Sequence, residues 1–143
     1  MRLLPALQRL ALLAALGCSA CAAAHRNALL GVWRSDAERT LVSMRATAGI
    51  PEERRRALAD DYYGHLTLEY AADTVRARFD DGAYDSGERP YRIVDAARDR
   101  VVTDEWNELL RQFERTTTYL DGDCIYGLAA EYGYREYFCR VPR

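Results

Sequence analysis

From His65 onward the chain alternates apolar and polar residues with a period of two, the mark of strands with one buried face. In HLTLEY (65–70), Leu66, Leu68 and Tyr70 share a face. TVRARFD (74–80) sets Val75, Ala77 and Phe79 against Thr74, Arg76 and Arg78. Further runs are PYRIVD (90–95), RVVTDEW (100–106), QFERTTTYL (112–120), CIYGLA (124–129) and YREYFCRV (134–141). Turn signals at Asp80-Asp81-Gly82, Ala96–Asp99 and Asp121-Gly122-Asp123 separate them. With a strand start at Gly31-Val32-Trp33-Arg34, the pattern predicts about eight antiparallel strands, mostly joined as hairpins.

Between the first strand and the second the period lengthens to that of a helix. Ser35-Asp36-Ala37-Glu38 fits a capping box, with Ser35 as N-cap and Glu38 reaching back. Leu41, Met44 and Ala48 follow at helical spacing, and Gly49 with Pro51 behind it ends the helix. Pro51-Glu52-Glu53 opens a second helix with Leu58 and Tyr62 on one face and Gly64 at its end. The fold class is therefore mainly β, with two short helices after the first strand. A meander of this kind must deal with its edges, and closure into an up-and-down barrel is the usual solution.

Ahead of this domain lies a different pattern. Arg2 and Arg9 flank a positive start, Leu10–Leu16 is a short apolar run, and small residues follow. That order predicts an export signal over 1–24 and a single domain over 25–143. The apolar run is shorter than the ~20 residues a bilayer span needs. Ala15-Leu16-Gly17-Cys18 resembles the bacterial lipoprotein signal, which favours Cys18 as a lipidated residue. Cys21, with Ser19 and Ala20 before it, is the alternative, and ordinary cleavage after Ala22 or Ala24 is the third reading. All three place the domain in the bacterial envelope, free in the periplasm or anchored facing it.

Export changes the reading of the other two cysteines. Outside the cytosol disulfides persist, so Cys124 and Cys139 are expected to be bonded. Pairing the last two strands about Glu131-Tyr132 puts them opposite each other.

Gly31-Val32-Trp33 on the first strand of such a chain resembles the calycins, the group of lipocalins and fatty-acid-binding proteins. The resemblance implies that Trp33 plugs one barrel end and that Arg140, near the last strand, packs on it. The helical pair is similar to the lid of fatty-acid-binding proteins and departs from the direct lipocalin meander. The Thr-Asp-Tyr loop motif of lipocalins is not matched, since Thr103-Asp104 runs on into Glu105.

Composition narrows the function. The net charge is −2 and every basic residue is Arg, so no basic excess exists for nucleic acid. Arg54-Arg55-Arg56 follows two acids and reads as a solvated helix face. No activated nucleophile or metal-ligand spacing is present, His65 reads as a cap or surface residue, and no cofactor signature is found. We expect no enzyme. The sequence instead predicts a binding barrel for a small apolar or amphiphilic ligand, lined by Trp33, Leu68, Phe79, Tyr91, Trp106 and Phe138. The alternative is an envelope interaction module, similar in outline to periplasmic lysozyme inhibitors, with an exposed aromatic patch around Tyr84. Arg76 and Arg78 face outward as ion pairs or inward toward a ligand carboxylate, according to register.

Overall fold

A computed structural model describes residues 27–142. Eight strands form a closed antiparallel barrel in which each strand pairs with the next and the last returns to the first. They are β1 (Gly31–Ser35), β2 (Leu66–Tyr70), β3 (Thr74–Phe79), β4 (Arg89–Ala96), β5 (Arg100–Asn107), β6 (Gln112–Asp121), β7 (Cys124–Leu128) and β8 (Arg135–Arg140). Helices α1 (Ala37–Ala46) and α2 (Glu52–Asp61) follow β1. No helix among the described residues is long and apolar enough to cross a membrane.

Alternation decides which side chains fill the barrel. Trp33 stands opposite Leu68 on β2, and Leu68 opposite Ala77 on β3. Around the wall Val75, Tyr91, Val101, Ile125 and Phe138 are buried on the same inner face. Full burial of a side chain of this size is worth about 2 kcal/mol. The intervening residues point outward, where Arg78 pairs with Glu69 at 2.5 Å and Arg76 with Asp85. The register thus settles Arg76 and Arg78 as an outer ion-pair face.

One end is closed by the chain leading into β1. Leu29 is fully buried, and the Trp33 indole donates to its carbonyl at 2.7 Å. Asn27 folds back to the Tyr91 hydroxyl at 2.5 Å, which itself donates to the Ala71 carbonyl at 2.7 Å. The Arg140 guanidinium lies 4.1 Å from the Trp33 ring centre and donates to the Leu30 and Ala28 carbonyls at 2.8 and 3.4 Å. Gly31 makes this approach possible. Its φ is +131°, and a Cβ there would stand 2.6 Å from an Arg140 nitrogen.

At the other end the wall changes partner. β1 stops at Ser35, and α1 takes its place beside β8. The Asp36 N–H donates to the Tyr137 carbonyl at 2.8 Å. The buried Thr40 hydroxyl accepts from the Tyr137 N–H at 2.9 Å, and Ser43 accepts from the Arg135 N–H at 2.9 Å. Hydroxyls one helical turn apart thereby satisfy strand N–H groups that would otherwise be orphaned. A second core of Met44, Ile50, Tyr63 and Tyr134 joins the helices to this end, with Leu41, Leu58 and Tyr62 packed against it.

The α1 cap differs from the expected capping box. Asp36 is the N-cap and accepts from the Arg39 N–H at 3.0 Å. Ser35 belongs to β1, and its hydroxyl accepts from the Gly64 N–H at 2.9 Å, tying the end of the helical pair back to the barrel. The helix also stops before Ala48, with Thr47 as C-cap. Within the Arg54–Arg56 run, Arg55 is drawn off the solvated face to donate to the carbonyls of Ile50 and Thr47.

Candidate functional site

β8 turns Glu136, Phe138 and Arg140 toward the barrel interior, because Phe138 is held in the core opposite Ile125. Glu136 stands opposite Gly127 on β7. A Cβ at Gly127 would meet no atom within 4 Å among the described residues, so there is open space on the wall beside Glu136. One carboxylate oxygen of Glu136 is buried and has no hydrogen-bond partner among the described residues. Burial without a partner disfavours the charged form and pushes the carboxyl up to about 7.

Aromatic side chains roof this space. Tyr62 stands edge-on to Tyr63 and Phe79, with ring centres 5.2 and 5.6 Å apart. Tyr63 is hydrogen-bonded through its hydroxyl to that of Tyr134. Burial, and after it the neighbouring Glu136 charge, pushes the Tyr62 phenol up to about 12. Burial and the Tyr134 contact raise Tyr63 as well.

The wall beside the roof is polar. β6 pairs with β7 only over Tyr119–Asp121, while β5 and β6 run on together as far as Asn107 and Gln112. Along that extension Thr103, Glu105, Glu114, Thr116 and Thr118 continue the inner face set by Tyr91 and Val101. Glu105 lies directly opposite Glu114. It accepts from the Thr103 and Tyr70 hydroxyls at 3.0 and 3.3 Å. Tyr70 is raised well above its ordinary range, by burial first and by Glu105 second. Arg89 shares this inner face through its pairing with Val75, and its buried Nε has no partner among the described residues.

Five of the expected lining residues, Trp33, Leu68, Phe79, Tyr91 and Phe138, belong to the inner core or pack against it. Trp106 does not join them. Glu105 takes the inward position opposite Tyr91, so its neighbour Trp106 points outward and packs on Phe113 with ring centres 5.3 Å apart. Asp104 shares that outer face, held below the usual carboxylate range by Arg115 and Arg92. Cys124 and Cys139 are directly opposite and joined by a disulfide on the outer face. Cys18 and Cys21 lie outside the described residues. Tyr84 is exposed and edge-on to Phe79. His65 is exposed, 3.9 Å from Asp80.

An open groove of about 930 Å³ runs outside the barrel between α1 and β8. Its two basic groups already have partners, Arg39 with Asp36 at 3.7 Å and Arg135 over the Tyr126 ring at 4.8 Å. The barrel interior is the stronger candidate, since unsatisfied buried polar atoms are uncommon and call for a partner. Glu136, Arg89, Gly127 and the Tyr62–Tyr63 roof escaped the sequence reading, which looked for apolar lining. The signal was there in Phe138, because an inward Phe138 forces Glu136 inward two residues earlier. Among the described residues no group of three His, Cys, Asp or Glu side chains is placed to hold a metal ion. Comparison with protein-family models, curated proteins and solved structures finds no match to this chain.

Proposed function

We propose that this chain is an exported, non-enzymatic protein of the bacterial envelope, with a calycin-like barrel that binds a small amphiphilic ligand inside. The signal pattern at residues 1–24 supports periplasmic residence, with Cys18 as the anchoring residue. The observation that carries the binding reading is Glu136, whose buried carboxylate oxygen has no hydrogen-bond partner among the described residues and whose opposite residue, Gly127, leaves open space beside it. Apolar and aromatic lining with a few convergent polar groups is the usual composition of a small-molecule site. N-phenyl-1-naphthylamine, a neutral apolar dye, tests it. Binding should brighten the dye, and Gly127→Leu, which fills the open space, should abolish the signal without lowering the melting temperature. Equal dye binding by both proteins would sink the proposal.

A second reading, an interaction module, draws on the β5–β6 tip. Leu109 is 90% exposed and Leu110 53% exposed, beside the outer Trp106–Phe113 pair. Exposed apolar side chains grouped in this way mark contact surfaces. A partner lost from envelope pull-downs on Leu109→Ser/Leu110→Ser would favour this reading.

A further inference from the structure

We infer that the cup under the tyrosine roof takes a cation, an amine carried on a small apolar body. The inference rests on the proposed interior binding and names the chemistry of the ligand's polar end.

The inner face around the cup is acidic. Glu136 approaches it from β8 and Glu105 shares the inner face from β5, with the exposed Glu114 opposite Glu105 on β6. Glu105 and Glu114 stand directly opposite each other, an arrangement of like charges that costs stability in a sheet. None of these carboxylates forms an ion pair with an Arg or His among the described residues. Their neutral partners are the hydroxyls of Thr103 and Tyr70 for Glu105 and the Asn107 amide, at 2.7 Å, for Glu114. Arg140, the basic residue on the Glu136 strand, is committed at the far end to Trp33 and two carbonyls. Arg89 enters the inner face near Tyr70, on which its charge acts.

An ammonium group at Glu136 would supply the missing hydrogen bond and neutralise the charge. The Tyr62 ring stands near it, close enough for the Glu136 charge to act on its phenol, and aromatic faces attract a desolvated cation. An anion entering the same space would meet the Glu136 carboxylate.

Octylamine, octanol and octanoate have one tail and three heads, so their affinities separate the head from the tail. Calorimetric titration of the processed protein at pH 8 should find octylamine tightest, by about tenfold over octanol, the size expected for a charged hydrogen bond. Octanoate should be weakest. Glu136→Gln should bring octylamine to the octanol level. Octanoate binding as tightly as octylamine to the unmutated protein would overturn the inference, as would an amine preference that survives Glu136→Gln. Binding of all three without preference defeats this inference alone. Failure of all three to bind defeats the interior-binding proposal as well.

Discussion

Arg140 and Glu136 sit on the same strand, point to the same side of the wall, and live in opposite circumstances. Arg140 caps the end closed by Asn27–Leu30, with an aromatic ring under its guanidinium and two carbonyls at its nitrogens. Glu136 lies near the helical end with an oxygen buried and without a partner among the described residues. A charge whose partners all come from its own chain holds the fold together. A charge that folding leaves unpaired costs stability, and that cost calls for a ligand or a proton to relieve it. The two ends of the barrel therefore differ, one with its charge satisfied by the fold and the other with a charge left for the proposed ligand.

The comparison breaks first at Trp33. Trp33→Ala should cost about 4 kcal/mol in chemical denaturation, because it empties the closed end and strands the Arg140 contacts. A loss under about 1 kcal/mol would mean the closed end carries little of the stability.

Glu136→Gln should go the other way. The folded carboxyl holds its proton to about 7, whereas the unfolded one releases it near 4.5. The folded state thus binds more protons between these values, and the stability of the unmutated protein falls as pH rises through that window. Above pH 7 the deficit is complete, up to about 3 kcal/mol from the size of the shift. Glu136→Gln should remove the slope, so that the variant is more stable at pH 8 and equal at pH 4. Denaturation curves at the two pH values read the difference directly.

Arg140→Met keeps the stem over Trp33 but removes the donors to Ala28 and Leu30, and should cost about 1–2 kcal/mol. The smallest effect is expected outside the barrel. Trp106→Ala should cost about 1 kcal/mol, the aromatic pair with Phe113, and leave amphiphile binding unchanged. Loss of binding in that variant would return Trp106 to the interior.

The same contrast explains what the sequence made legible. Wherever apolar residues alternate cleanly, as in Val75–Ala77–Phe79, the inner face follows from the pattern, and with it eight strands and the Cys124–Cys139 register. The closed end was readable because Gly31, Trp33 and Arg140 are distinctive residue types. The open end was not, because its inner face breaks the rule that the reading relied on. On β5 the inward residues are Val101, Thr103 and Glu105, so apolar Trp106 took the inner position in the reading and lies outside in the structure. The β-bulge between Ile93 and Asp95 further shifts the alternation on β4. Ser35 misled for a different reason. It has the chemistry of an N-cap, but its hydroxyl serves Gly64, a partner 29 residues away that no local pattern reveals.

The most direct test of this division is the titration of the Glu136 carboxyl carbon by NMR in the ligand-free protein. A midpoint near 7, falling once octylamine is bound, is the expected result. A midpoint near 4.5 in the free protein would show that the carboxylate is already satisfied and would contradict the account.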